Sequence, residues 1–510
     1  MRLALHRAAG DAHSRPWSHL DLTPVARWLA LAGALTALAL AFLVLRPAAL
    51  PGPQTPMRDF ESYYAAGATW SAHRDPYSRD IWIAERTIPG VVSSRDEVLP
   101  FVGPPFALPL WSAFARLDYV TAARAWGVVL GGCMLVIVLG ALYLSSGPVR
   151  LIDAVAALLL AGSFGPLTSG LALGQAAVFS CAAIACAAAG LRARHPAFAW
   201  ISGLLALIQP NVGTALFSCI DRPLRVFLFA SIAAAAAALS AVALGSIPGL
   251  IGYLSLLHLH ANAERFLAIQ VTPDAVARGL GAPEPFALAI GLLTAAGVLV
   301  GSVLALRNRT SDEGARFALG CAALPLVLPF GHEHDLAPLF IACVIMLRRA
   351  DGLALYCAVA GTLFTSVDWL ALAQRPDELS QRTMLAVAAV LAIIALRGRT
   401  CSRAHFYLAL APIAVVIVGT FAAHAPLRTW PQAFPLMFHA PADLSIGGVW
   451  HLEQVRSGIA ALNPRWAFLR LLSLGGCLLL WFACATACAA QRPRYRRSSC
   501  SRTAHSKSPG

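Results

Sequence analysis

Residues 119–144 carry the sequence YVTAARAWGVVLGGCMLVIVLGALYL, and no charged residue follows Arg124 in this stretch. About 20 consecutive apolar residues span the hydrocarbon core of a bilayer, so the stretch predicts a transmembrane helix. The rest of the 510-residue chain has the same character, because 58% of its residues are apolar and only 13% are charged. This composition indicates an integral membrane protein and excludes a large soluble catalytic domain.

Apolar runs of similar length recur along the chain. We expect further crossings at 28–50, 151–167, 176–191, 226–247, 286–306, 315–330, 335–347, 352–370, 383–396, 405–423 and 467–490. Two more apolar segments, 104–117 and 197–220, are interrupted by proline or polar residues and are expected to form re-entrant or half helices. The predicted fold is therefore all-α: a polytopic membrane bundle with about 12 crossings.

The arginines orient this bundle. Basic residues, among them Arg7 and Arg27, precede the first apolar run and place the N-terminus in the cytoplasm. A cleaved signal peptide is the alternative, but its polar leader would be unusually long. Every short loop that falls inside is then basic, from Arg150 to 397–403, and the C-terminus is also cytoplasmic. The net charge of +14 is thus explained by orientation rather than by nucleic-acid binding.

The same pattern divides the chain into four parts. They are a cytoplasmic N-terminal segment 1–27, a membrane core 28–350, C-terminal transmembrane helices 351–490 and a basic cytoplasmic tail 491–510. Three outer segments are too long to be simple connectors and are expected to contain outer interfacial helices and the functional site: 51–103, 248–285 and 424–466.

The first outer segment combines carboxylates with aromatic residues. Tyr63, Tyr64 and Trp70 follow Asp59 at helical spacing, which predicts a helix in the membrane interface. The tripeptide 75–77, Asp-Pro-Tyr, predicts a turn. Asp59 has two interpretations: an N-cap of that helix, or a catalytic carboxylate.

Other polar residues interrupt apolar runs on the same outer side. Gln175 ends a short turn, Asn211 follows Pro210 in the middle of an apolar segment, and 332–335 is His-Glu-His-Asp. Gln175 and Asn211 suit helix–helix hydrogen bonding, whereas ionisable groups near a bilayer are usually functional. A metal site formed by His332, His334 and Asp335 is conceivable, but adjacent spacing without a cysteine argues against it, and the chain contains no CxxC pair. All these residues fall on one side, which suggests a polar cavity that opens outward.

At these positions the sequence resembles glycosyltransferase family 87, the polyprenol-phosphate-mannose-dependent alpha-mannosyltransferases of the GT-C superfamily. The resemblance lies in the residues Asp59, Phe60, Tyr63, Ala66, Gly67, Asp75, Pro76, Tyr77, Pro104, Pro105, Gly174 and Gln175, with the polar cluster 332–335. It covers roughly residues 28–350. The chain departs from the family pattern at Gly103, Leu173 and Gln209, where the family usually has Tyr, Asn and Lys.

The resemblance implies a GT-C-like catalytic core and a sugar transfer on the outer face of the bacterial cytoplasmic membrane. The donor would be a polyprenyl-phosphate sugar, with mannose as the sugar, and the acceptor a glycan or glycolipid among the membrane lipids. Transfer would be inverting, with neither cofactor nor metal. By resemblance Asp59 is the general base; His332, His334 and Arg58 are candidates for binding the donor phosphate; and the candidates for binding sugar or acceptor are Tyr63, Tyr64, Tyr77, Gln175, Asn211 and Asp335. A transporter or flippase of lipid-linked sugar and a non-catalytic membrane protein remain the alternatives.

Overall fold

A computed structural model describes residues 57–245, 247–307, 312–367, 434–435 and 437–490. The predicted segment 1–27, the first crossing 28–50, the crossings at 383–396 and 405–423, and the tail 491–510 lie outside the described residues.

Helices are the regular elements of the described residues, which include no strand. In chain order the α-helices are α1 Phe60–Ser71, α2 Ile81–Glu85, α3 Leu108–Phe114, α4 Tyr119–Leu144, α5 Leu151–Ser163, α6 Gly165–Leu173, α7 Ala176–Arg192, α8 Pro196–Ala206 and α9 Pro210–Gly213. They continue with α10 Pro223–Ala243, α11 Ile247–Glu264, α12 Pro273–Gly279, α13 Glu284–Arg307, α14 Glu313–Val327, α15 Leu339–Arg349, α16 Gly352–Ser366, α17 Ile446–Arg456 and α18 Pro464–Ala490. Three short 3₁₀ helices occur at Pro105–Ala107, Thr214–Cys219 and Glu333–Leu336.

Four helices of the described part are long and apolar enough to cross a membrane: α4, α10, α13 and α18. A fifth span is obtained if α5 and α6, bent by 61° at Phe164, are counted together. The protein is therefore a helical membrane protein, but this number does not support the predicted count of about 12 crossings. Several predicted crossings are short helices, and α15, at 11 residues, is only about 17 Å long.

The short helices can be short because protein, rather than lipid, surrounds them. Residues 339–347 of α15 are all buried, and most of α7 and α14 is buried as well. The long helices α10 and α13 lie at the periphery. Of the 18 most apolar consecutive residues in each helix, 17% are buried in α10 and 11% in α13. Their exposed leucines and valines form a surface suited to lipid chains. The segments 104–117 and 197–220 are broken helices, as predicted.

The predicted cytoplasmic loops meet at one end of the bundle. Arg150 Nη2 lies 2.8 Å from Asp153 Oδ1, and Arg348 Nη1 lies 3.3 Å from Asp153 Oδ2. Arg192 donates to the carbonyl of Leu144 at 3.0 Å. Helix α4 has 26 residues, so its two ends are about 39 Å apart. The loops before α1, α7 and α15 lie toward the other end.

Helix α1 confirms the predicted helix after Asp59, but the helix is packed inside the protein and does not lie on its surface. Phe60 is fully buried and stacks on Trp126, and Tyr63 stacks on Trp111 with ring centroids 4.8 Å apart. A Cβ at Gly67 would lie 2.3 Å from the Trp111 carbonyl carbon. Only glycine therefore permits this approach of α1 to α3.

Candidate active site

Asp59 directly precedes α1, yet its side chain does not cap that helix. No backbone N–H of the first turn donates to the carboxylate. Instead, Gln175 Nε2 donates to Asp59 Oδ2 at 2.5 Å, across 116 residues of chain. The backbone N–H of Asp59 donates to Leu173 O at 2.9 Å. The N-cap interpretation therefore does not account for this carboxylate, which is bound to the turn between α6 and α7.

Gln175 is fixed by a second partner. Tyr63 Oη donates to Gln175 Oε1 at 2.9 Å, so the amide oxygen faces Tyr63 and the amide nitrogen faces Asp59. The residue is buried, with 9% of its surface exposed, and its backbone N–H donates to Gly170 O at 2.8 Å. The structure thus brings together three residues that the sequence predicted for the site.

Gly174 makes this arrangement possible. Its φ of +77° is in the left-handed region, where glycine alone is free of strain. A Cβ at this position would lie 2.9 Å from the Cβ atoms of both Met57 and Phe60. Its carbonyl accepts from Trp126 Nε1 at 2.8 Å. The glycine therefore allows the turn before Gln175 to pack directly against the start of α1.

The cluster 332–335 forms a second polar group at this end of the bundle. Asp335 Oδ2 accepts from the backbone N–H of His332 at 2.9 Å, and Asp335 Oδ1 accepts from Asn211 Nδ2 at 2.9 Å. Asn211 lies in α9, where Pro210 interrupts the apolar segment. The predicted residues Asn211, His332 and Asp335 are thus in contact.

The two polar groups lie close enough to interact electrostatically. Burial raises the pKa of Asp59, whereas the hydrogen bond from Gln175 lowers it, and a positive charge on His332 would lower it further. The Cβ of His334 lies 3.6 Å from the Cβ position of Gly170, whose carbonyl accepts from Gln175. Burial lowers the pKa of both His332 and His334, so neutral imidazoles are favoured here.

Glu264, at the end of α11, is a member of the site that the sequence did not identify. Its carboxyl group is buried and accepts a hydrogen bond from Trp450 Nε1 at 2.6 Å. Its Oε2 lies 3.0 Å from His332 Nε2. The sequence signal for this residue was a carboxylate at the end of a mainly apolar helix, four residues after His260. Glu264 thus links two of the predicted outer segments, 248–285 and 424–466, to His332.

Gln270 indicates which nitrogen of His332 carries the proton. Its Oε1 accepts from the backbone N–H of Gly331 at 2.8 Å, so its amide nitrogen is the atom 3.0 Å from His332 Nε2. An amide N–H₂ only donates, which makes Nε2 the acceptor and Nδ1 the protonated nitrogen of a neutral ring. Burial raises the pKa of Glu264, which favours its protonated form beside Nε2.

Three predicted site residues contact other parts of the protein. Arg58 Nη1 lies 2.6 Å from Glu61 Oε2, and its Nη2 pairs with Glu97. Tyr64 Oη donates to Leu117 O at 2.8 Å, and Tyr77 Oη donates to Gly103 O at 2.8 Å. The hydroxyls of Tyr64 and Tyr77 therefore bond away from the Asp59 carboxylate, whereas the charge of Arg58 lies near enough to lower the pKa of Asp59.

The arrangement offers acid–base chemistry and hydrogen bonding to an anion. Among the described residues, no three His, Cys, Asp or Glu side chains are grouped as metal ligands. One carboxylate with a single firm hydrogen bond lies near two neutral imidazoles, at the end of the bundle opposite the basic loops. Such a set can accept a proton from one group while donating to another.

A comparison with protein families matches residues 101–329 to the model of glycosyltransferase family 87. This segment is similar to that family. The similarity indicates a glycosyltransferase. The matched segment includes Gln175, Asn211 and Glu264, whereas Asp59 and His332 lie just outside it. No curated protein and no solved structure matches the chain significantly.

Proposed function

We propose that this glycosyltransferase transfers mannose from a polyprenyl-phosphate donor to a glycan or glycolipid acceptor, with inversion and with Asp59 as general base. One observation carries the proposal: the Asp59 carboxylate does not cap α1 but is bound by Gln175 beside the His332 cluster. The similarity to the family supports sugar transfer, and the contact between Gln175 and Asp59 supports the choice of base.

Asp59 would remove the proton from the acceptor hydroxyl. Gln175 occupies Oδ2 and holds the carboxylate in place, which leaves Oδ1 for the acceptor. Burial raises the pKa of Asp59 above its usual range and so makes it a stronger base than a solvated aspartate. The hydrogen bond from Gln175 opposes that rise and favours the ionised form that a base requires.

The leaving phosphate requires hydrogen-bond donors. As the acceptor oxygen bonds to C1 of the sugar, the bond from C1 to the phosphate oxygen breaks and the lipid phosphate departs. His332, protonated on Nδ1, and His334 would donate to that phosphate. Glu264 and Gln270 act on His332 Nε2 and therefore position the ring. Asn211 and Asp335 are the proposed sugar-binding pair.

The proposed topology has about 12 crossings, both termini in the cytoplasm and the site facing outward from a bacterial cytoplasmic membrane. Its support is the separation of charge along the bundle. Arg150, Arg192 and Arg348 are at one end, and the Asp59 cluster lies toward the other.

The test is transfer of radiolabelled mannose from polyprenyl phosphate mannose to a membrane lipid extract by the purified protein. The comparison is Asp59→Asn, and the matched control is Asp118→Asn, since Asp118 is an exposed aspartate that caps α4. Label should move with the native protein and with Asp118→Asn, and not with Asp59→Asn. Equal transfer by Asp59→Asn would show that the base is another group. No transfer by folded native protein would contradict mannose as the sugar and favour a different donor or a transport function.

A further inference from the structure

A second cavity lies at the opposite end of α1 from Asp59. Its volume is about 950 Å³, and it is bounded by residues 70–77, 112–116, 242–245 and 249–256. Helix α1 has 12 residues, so Ser71 in the wall of this cavity is about 18 Å along the helix from Asp59. A group bound here is too distant from Asp59 to take part in the proposed transfer.

The cavity wall carries two arginines and one aspartate, so its formal charge is positive. Arg74 and Arg116 both line it, and both side chains are exposed. Within the described residues, no carboxylate lies at salt-bridge distance from either guanidinium. Asp75 also lines the cavity, but its Oδ1 accepts from the backbone N–H of Tyr77 at 2.9 Å. Two guanidinium groups that face one cavity form a site for an anion, and phosphate is the anion that arginine binds best through paired N–H donors.

Two serines line the same cavity as the arginines. The Oγ atoms of Ser71 and Ser112 are 2.6 Å apart, and both residues line the cavity. Ser71 Oγ also donates to Gly67 O at 2.8 Å, so the Ser112 hydroxyl is the donor between the two serines. The Trp70 indole donates to Ala243 O at 3.0 Å and forms an aromatic part of the wall. Tryptophan is enriched at membrane–water interfaces.

The cavity opens beside a surface that suits lipid chains. Val242, in the last turn of the candidate span α10, lines the cavity and is 77% exposed. Ile251 and Leu254 on α11 are exposed as well, at 59% and 54%. An occupant that satisfies both parts of the site has an anionic head between the arginines and apolar chains along α10 and α11.

We propose that this cavity binds the phosphate headgroup of an anionic phospholipid, with Arg74 and Arg116 as the phosphate ligands. The acyl chains lie against Val242 and the exposed side chains of α11. The proposal does not depend on the transfer reaction, because the site is separate from Asp59.

The experiment measures phosphatidylglycerol binding by native mass spectrometry of delipidated protein, with phosphatidylcholine of the same chains for comparison. The variants are Arg74→Gln, Arg116→Gln and the double variant. Arg124→Gln is the matched control, since Arg124 is an exposed arginine on α4 outside the cavity. Each single variant should weaken phosphatidylglycerol binding about fivefold and the double variant about 30-fold, while Arg124→Gln leaves it unchanged.

A second variant fills the cavity without changing its charge. No heavy atom lies within 4 Å of the Cβ position of Gly252, which lines the cavity, so Gly252→Leu should project into it and reduce binding. An unchanged melting temperature shows that the fold is retained. Native-like phosphatidylglycerol binding by the double arginine variant would overturn the proposal, as would equal affinity for phosphatidylcholine. If inorganic phosphate binds through Arg74 and phosphatidylglycerol does not, the site is one for a free anion and the lipid assignment is wrong.

Discussion

The hydrogen bond from Gln175 to Asp59 sets the pH range in which Asp59 can act as a base. Gln175→Ala removes the donor 2.5 Å from the carboxylate and leaves Tyr63 Oη without its acceptor. Hydrogen bonds to a charged group contribute about 1.5–3 kcal/mol, and about 1.4 kcal/mol corresponds to one pKa unit. The bond lowers the pKa of Asp59, so its loss should raise that pKa by about one to two units.

The assay is the pH dependence of kcat/KM for sugar transfer. A base must be ionised, so activity falls as pH decreases through the pKa of Asp59. In Gln175→Ala this acid limb should move upward by about one to two pH units, so the loss of activity should be largest at the low-pH end and smaller toward high pH. Tyr63→Phe is the matched control, because it keeps the donor to Asp59 and removes only the support of Gln175. It should move the acid limb less.

A uniform loss of activity at every pH would contradict a role for Gln175 in setting the pKa of Asp59, because it would mean that Gln175 positions substrate without acting on the carboxylate. An acid limb at the native position in an active Gln175→Ala protein would lead to the same conclusion.

Three further predictions concern the surrounding structure. Glu264→Gln should fold and transfer sugar nearly as the native protein does, because an amide can accept from Trp450 and donate to His332. Glu264→Ala removes both bonds and should lower the free energy of unfolding, measured by thermal denaturation, by about 2 kcal/mol or more. Equal stability of these two variants would contradict the network. Gln209→Lys, which restores the cation usual in the family, should raise kcat, and an unchanged or lower kcat would show that no charge is missing there. Gly67→Val should lower the melting temperature by several degrees, since its side chain meets the Trp111 backbone, and native-like melting would contradict that close approach.

The positions of many helices could be predicted from the sequence because long apolar runs specify them. The predicted crossing at 119–144 has the same limits as α4. The predicted crossing at 176–191 begins with α7 and ends one residue before the end of that helix. The number of crossings could not be predicted in this way. A run such as 335–347 has the hydropathy of a span but forms an 11-residue helix enclosed by protein. Hydropathy does not distinguish a lipid environment from a protein interior.

The grouping of the polar residues could also be predicted from the sequence, because the predicted topology places Asp59, Gln175 and His332 on the same side of the membrane. The contacts between these residues could not be predicted. Asp59 has the sequence context of an N-cap, and only tertiary structure replaces that role with the bond to Gln175. Glu264 contacts His332 across 68 residues and Trp450 across 186, and nothing near these residues in the sequence indicates those pairs.

The rate of mannose transfer by Asp59→Asn, measured beside native protein and Asp118→Asn, decides whether Asp59 is the general base. An asparagine preserves the shape of the side chain but cannot take the proton from the hydroxyl group of the acceptor substrate. If Asp59 is the base, kcat should fall about 10²–10⁴-fold in Asp59→Asn while the melting temperature stays native. Asp118→Asn should remain fully active. Transfer by folded Asp59→Asn within about threefold of the native rate would contradict the assignment of Asp59 as the base.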